Sequence, residues 1–284
     1  MEKNKLIECP RDAMQGIHDF IPTSQKAKYI NSLLKVGFDT IDFGSFVSPK
    51  AIPQLRDTQD VLSLLNLDAD TAKLLAIIAN KRGADDACVF DEISFLGFPF
   101  SISEEFQKRN TNSTIEESLI RVEEIQKLCV QKNKKLVIYI SMAFGNPYNE
   151  PWDADIVISW VNRLKEIGIS IIALADTVGV SNPQNIEYLF SNLIPACPEI
   201  EFGAHLHSHP LTWKEKINAA WTHGCRRFDS AIKGIGGCPM ANDELVGNIA
   251  TENLLSYFNE NKVSTGINPD LFSAAMKVAS ETFN

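Results

Sequence analysis

Short β-type runs alternate with amphipathic helical runs from one end of this chain to the other. No other feature restricts the possible folds as much. The β-type runs lie near 6–11, 40–46, 73–79, 92–97, 136–142, 170–176, 201–207 and 226–232. The helical runs between them carry their own start and stop signals. Ser24 opens a stripe of Ile30, Leu33 and Leu34 that Gly37 closes. Thr114 and Glu117 have the spacing of a capping box ahead of Ile115, Leu119, Val122 and Ile125. Trp160, Val161, Leu164 and Ile167 form a stripe ending at Gly168. Asn182-Pro183 sets an N-cap before a proline at the first helical position. Trp213, Ile217 and Ala220 follow, and Thr251 and Asn268-Pro269 open the last two helices. Eight strands with helices between them in 284 residues predict an α/β fold, a (β/α)8 TIM barrel over 1–284. A short C-terminal helical extension, 251–284, is expected to pack on it. The alternative is a doubly wound open sheet, but no Gly-x-Gly-x-x-Gly follows the first strand. The stretch 98–113 reads as the longest irregular connection, a loop on the active-site face.

Charge and cysteine usage narrow the partners. The chain has 27 basic and 36 acidic side chains and a net charge of −9, so it lacks the electrostatic footprint of a nucleic-acid binder. No apolar stretch is long enough to span a bilayer, and no signal-peptide core follows Met1. Six cysteines (Cys9, Cys88, Cys129, Cys197, Cys225, Cys238) show no Cys-x-x-Cys spacing. That pattern fits a reducing, cytoplasmic setting better than a disulfide framework or a zinc ribbon. No nucleic-acid or membrane partner is expected.

Chemistry in such a barrel collects at the C-terminal ends of the strands. His205 and His207 stand two apart at the end of an apolar run, a spacing that turns both imidazoles to one face of a strand. Such a pair suits a shared metal ion, and oxygen ligands completing the set favour Mg²⁺ or Mn²⁺. Other strand ends add polar groups: Arg11-Asp12 after the first, Asp42 and then Ser45–Lys50 on the second, Asp176-Thr177 after the sixth. The eighth carries Asp229-Ser230 and runs into Gly234-Ile235-Gly236-Gly237-Cys238-Pro239, followed by Gly247-Asn248. Singly, each has a bland reading as a helix cap, a turn or an inert thiol. Five strand ends offering polar groups together point to an enzyme.

These segments resemble 3-hydroxy-3-methylglutaryl-CoA lyase, within the metal-dependent lyase and Claisen-condensing barrel superfamily. The resemblance rests on Arg11-Asp12, Ser45-Phe46-Val47-Ser48-Pro49-Lys50, Asp176-Thr177-Val178-Gly179, His205-Leu206-His207, Gly236-Gly237-Cys238-Pro239 and Gly247–Glu252, in order along the chain. It extends to Asn112–Ser118, and Gly-Gly-Cys-Pro is its most specific element. The resemblance implies a divalent ion, Mg²⁺ or Mn²⁺, held by Asp12, His205, His207 and Asn248. It implies an acyl-CoA substrate cleaved to acetyl-CoA and acetoacetate, a place in leucine degradation, and a homodimer. Arg11 would stabilise developing negative charge, and Cys238, on a closing loop, would protonate the acetyl-CoA carbanion. Asp42, Asp176 and Glu252 would support the site, and His205 could also move a proton.

The chain departs from the family pattern in places. Asp42 replaces a glutamate, Ala13 a glycine, Asn146 a cysteine and Ala173 a small polar residue. Lys233 stands where a small residue is usual, and 239–246 is one residue longer. The implied metal set is intact, so these changes bear on the substrate more than on the reaction class. Two alternatives are a Claisen-type condensing enzyme, or a lyase on another 3-hydroxyacyl substrate, and a non-catalytic acyl-CoA- or metal-binding barrel.

Overall fold

The computed structural model of the chain describes residues 4–237 and 246–283. Eight parallel strands close into a barrel: β1 (Lys5–Glu8), β2 (Thr40–Ser45), β3 (Lys73–Ile77), β4 (Ile93–Ser101), β5 (Lys135–Ser141), β6 (Ile171–Ala175), β7 (Glu201–His205) and β8 (Arg227–Ser230). β8 pairs with both β7 and β1, which closes the ring. The fold is therefore the expected (β/α)8 TIM barrel. Its strands are buried almost throughout, as they must be when helices cover one face and the barrel interior the other.

The helices follow the local signals. Thr114 and Glu117 complete a capping box on Ile115–Gln131. Asn182 caps Pro183–Ala196, and Asn268 caps Pro269–Thr282. The main core lies between sheet and helices. A second apolar cluster takes alternate residues of β3 to β6, including Leu75, Ile77, Val137, Tyr139, Ile171 and Ala173. Period-two alternation places that cluster inside the barrel. Pro269–Thr282 packs back on Thr23–Leu33, with Phe283 edge-on to Tyr29 at 5.5 Å and Phe272 against Phe38. No helix among the described residues is long and apolar enough to cross a membrane.

Three expectations need correction. The stretch 98–113 is not irregular: β4 continues to Ser101 and a helix spans Glu104–Thr111, capped by Ser103. Its polar composition hid a two-turn helix whose carboxylates at the start and cations at the end suit the helix dipole. β1 ends at Glu8, so Arg11 and Asp12 lie in a short helix, Pro10–Gln15, where Pro10 starts the first turn. β7 ends at His205, and His207 belongs to a two-residue ladder, in which Asn248 is its antiparallel partner. Cys238 lies outside the described residues.

Candidate active site

The C-terminal mouth of the barrel holds a cavity of about 370 Å³ lined by Arg11, Asp12, Gln15, His205, His207 and Gly237, among others. Arg11 is held rigidly. Its Nε donates to Asp42 Oδ2 at 2.9 Å and its Nη2 to the same oxygen at 2.5 Å. Its Nη1 donates to Asp12 Oδ1 at 3.0 Å and to Gln15 Oε1 at 2.8 Å. Burial disfavours the guanidinium, but the carboxylates of Asp42 and Asp12 outweigh it and raise its pKa. The two carboxylates respond oppositely. Burial raises Asp42 to about 6, against the pull of Arg11. Burial also opposes ionisation of Asp12, yet Arg11, His205 and His207 hold it near 2. Asp12 is thus the carboxylate kept charged towards the cavity.

Ligand atoms of Asp12, His205 and His207 all lie within 4.8 Å of one another. The two imidazole centroids are 5.3 Å apart. His207 Nδ1 donates to the Thr177 carbonyl at 3.3 Å, while its Nε2 is buried without a hydrogen-bond partner. Burial, then neighbouring His205, lowers His207 to about 4, so it is neutral at pH 7. His205 Nδ1 meets Asp229 Oδ2 at 3.1 Å; burial lowers its pKa, but Asp229 prevails and raises it. Asn248 Nδ2 donates to Asp12 Oδ2 at 2.6 Å, which joins residues 236 positions apart. A charged carboxylate, a neutral imidazole with an unpaired nitrogen and a second imidazole oriented by a carboxylate form a donor set that fits a divalent ion.

Not every expected residue joins this set. Asp176 faces a separate cluster. It accepts from Ser181 N and Oγ and from Lys216 Nζ at 2.9 Å, and Lys216 also donates to the Gly179 and His207 carbonyls. Asp176 therefore supports the histidine segment from behind. Glu252 accepts from Lys233 N at 3.1 Å and lies at the base of the glycine loop. Lys233 itself has φ +65°, a left-handed conformation that strains any residue with a Cβ. Gly236 has φ +93°, and a Cβ there would meet the Asp12 carbonyl at 2.7 Å and Asn248 Nδ2 at 2.8 Å. The loop that leads to Cys238 thus crosses directly over the Asp12–Asn248 contact.

Sequence reasoning gave no role to Asp229, Gln15, Lys216 or Glu8. Asp229 stood out only as a polar strand end; its alignment with His205 needs the β7–β8 pairing. Glu8 is fully buried on β1, and accepts from Ile232 N at 2.8 Å and Thr251 Oγ1 at 2.5 Å. Burial raises its pKa to about 8.

The HMGL-like family profile matches residues 6–278. A hydroxymethylglutaryl-CoA lyase of Bacillus subtilis is 30% identical over 94% of this chain and 89% of its own length. The (R)-citramalyl-CoA lyase of Chloroflexus aurantiacus is 31% identical over 99% of this chain and 92% of its own. An HMG-CoA lyase from Acinetobacter baumannii, solved in complex with coenzyme A and 3-methylmalate, superposes with a TM-score of 0.90 at 31% identity. That match covers 99% of this chain and 91% of the solved one. By this match along almost its whole length, and by the barrel it shares with these lyases, the chain belongs to the HMGL-like family.

Proposed function

We propose that this chain cleaves 3-hydroxy-3-methylglutaryl-CoA to acetyl-CoA and acetoacetate by a divalent-metal-dependent retro-Claisen reaction. The observation that carries the reading is the rigid Arg11 beside the Asp12–His205–His207 set in one cavity. The hydroxymethylglutaryl-CoA lyase relatives support the substrate. Asp12, His205 and His207 would hold Mg²⁺ or Mn²⁺, with Asn248 beside them. Such an ion lowers the pKa of a hydroxyl bound to it.

The substrate's tertiary hydroxyl loses its proton as the adjacent C–C bond breaks, and the bonding pair passes to the thioester as an enolate. Arg11 supplies a fixed cation against that growing charge, and Asp42 prevents it from swinging away. His205 is the candidate to move the hydroxyl proton, with Asp229 on its Nδ1. A nitrogen bound to the ion cannot accept a proton at the same time. Cys238 Sγ would return a proton to the enolate carbon and complete acetyl-CoA. Gly237, which precedes that cysteine in the chain, lines the same cavity as Arg11 and Asp12. Asp176 and Glu252 act as supports, through Lys216 and through the loop base.

The (R)-citramalyl-CoA lyase relative, as similar as the others, favours one second reading: the same bond cleavage on a different 3-hydroxyacyl-CoA. Parallel assays of acetyl-CoA release from 3-hydroxy-3-methylglutaryl-CoA and from citramalyl-CoA, with chelator and with Mg²⁺ or Mn²⁺, separate the two. Turnover of neither would sink the lyase reading, and turnover undiminished by chelator would sink the metal. A homodimer belongs to the same proposal and is checked by light scattering of the chain in solution.

A further inference from the structure

A second group of ligand-type atoms gathers around His205 where β1, β7 and β8 lie side by side. Cys9, His205 and Asp229 each present one within 4.8 Å of the other two. Cys9 follows β1 and Asp229 lies on β8, so the β1–β8 pairing that closes the barrel creates the group. Both are buried, at 1% and 3% exposure. Asp229 Oδ2 meets His205 Nδ1, but its Oδ1 is buried with no hydrogen-bond partner. The Cys9 thiol has only a 3.9 Å contact to the Ile7 carbonyl. An orphaned carboxylate oxygen and a loosely held thiol beside one imidazole are costly to bury unless something draws on both.

We propose that Cys9, His205 and Asp229 form a second metal site, selective for a thiophilic divalent cation of the Zn²⁺ or Co²⁺ type. One sulfur, one nitrogen and one oxygen donor suit a tetrahedral Zn²⁺-like ion, whereas the oxygen-rich set around Asp12 suits a harder one. The surroundings agree. The carboxylates of Asp229, Asp42 and Asp12 surround the thiol with a negative field. The same negative field attracts a cation, and coordination releases the thiol proton to solvent as the thiolate–metal bond forms. His205 belongs to both groups. An ion on the Cys9 side replaces the His205–Asp229 hydrogen bond, which orients the imidazole for the Asp12 side. A thiophilic ion is therefore expected to antagonise the harder one. The site stands apart from the lyase reading, since its test reads binding rather than turnover.

The test titrates Co²⁺ into the full chain freed of metal by chelation. A thiolate-to-cobalt charge-transfer band in the near ultraviolet reports sulfur ligation. The wild type and Cys238→Ala are expected to show the band at one equivalent, and Cys9→Ser to lose it while keeping its thermal transition. Absence of the band in the wild type, its survival in Cys9→Ser, or its loss in Cys238→Ala would overturn the proposal. Should Cys9→Ser fail to fold, X-ray absorption of Zn²⁺-loaded Cys238→Ala decides. A sulfur shell at about 2.3 Å supports the site, and a shell of nitrogen and oxygen alone refutes it.

Discussion

Two buried ionic clusters sit at neighbouring strand ends of this barrel, and they are finished differently. Around Asp176 every strong group is paired: Ser181 donates twice to the carboxylate, and Lys216 bridges it to two carbonyls. Around Asp12 the pairing is incomplete. Arg11 and Asp42 lock each other, but His207 Nε2 and Asp229 Oδ1 have no partner, and Arg11, Asp12 and His207 line a cavity. A satisfied buried cluster is a brace, because every charge already has its counter-charge and hydrogen bonds. An unsatisfied one keeps its capacity for a ligand that is yet to arrive. That difference separates the supporting part expected of Asp176 from the ligand part expected of Asp12.

The comparison can be broken from the braced side first. Lys216→Met leaves the Asp176 carboxylate buried without its cation, which is expected to cost about 3–5 kcal/mol of stability. Chemical denaturation checks this, and a loss below about 1 kcal/mol would show that the cluster is no brace. On the open side the effect should fall on function instead. Arg11→Lys keeps the charge but loses the planar fork shared with Asp42, Asp12 and Gln15. Its kcat should drop on the order of 100- to 1,000-fold with KM nearly unchanged, in steady-state kinetics at saturating Mg²⁺. A change confined to KM would move Arg11 from the transition state to substrate binding.

His207→Ala removes the unpaired imidazole nitrogen and should weaken Mn²⁺ binding by about 100-fold or more, read by electron paramagnetic resonance. The melting temperature should fall separately, from loss of the buried ring and its Nδ1 bond to Thr177. Equal Mn²⁺ affinity in the variant would remove His207 from the set. A pH-dependent effect concerns Glu8, which is neither braced by a cation nor open to the cavity. Its pKa is raised from 4.5 to about 8, chiefly by burial. Between those values the folded chain holds a proton that the unfolded chain has released. The associated stability is full below about pH 4.5 and is lost as pH rises to about 8, by at most about 1.4 kcal/mol per pH unit. Glu8→Gln should flatten that slope in thermal melts from pH 5 to 8; an unchanged slope would mean that Glu8 is ionised in the fold.

Much of the site was legible before any coordinates. The short-range spacing of His205 and His207 and the adjacency of Arg11 and Asp12 place pairs of functional groups together by local geometry. The structure gathers Asn248 to them as well. Asp176 and Glu252 were expected to support the site, but a strand-end position says nothing about which partners do so: Lys216 and Ser181 for the one, the Lys233 backbone for the other. Cys238 falls outside the described residues, so the geometry reaches only as far as Gly237. Glu8, Lys216 and the Cys9–Asp229 contact were missed. Glu8 and Asp229 are single acids in short strand runs and Lys216 is one charge in the polar run Lys214-Glu215-Lys216, each indistinguishable in sequence from a surface position.

The sequence by itself determined the alternation of strands and helices, though not the helix Glu104–Thr111. Periodicity, caps and helix-stopping glycines act over a few residues, as at Thr114–Glu117, Asn182-Pro183 and Gly168. It determined the donor types available at each strand end too. Only the tertiary structure decided which donors meet. Asp12 touches Asn248 across 236 positions, Glu8 holds Thr251 across 243, and Asp229 reaches His205 only where β8 lies beside β7. Those contacts depend on barrel closure, which aligns β1 with β8 through backbone hydrogen bonds common to any sequence. The surroundings that hold Asp12 near 2 through Arg11 and the histidines, and the burial that lifts Asp42 to about 6 and Glu8 to about 8, come from the same closure, so three carboxyl groups titrate differently by position alone.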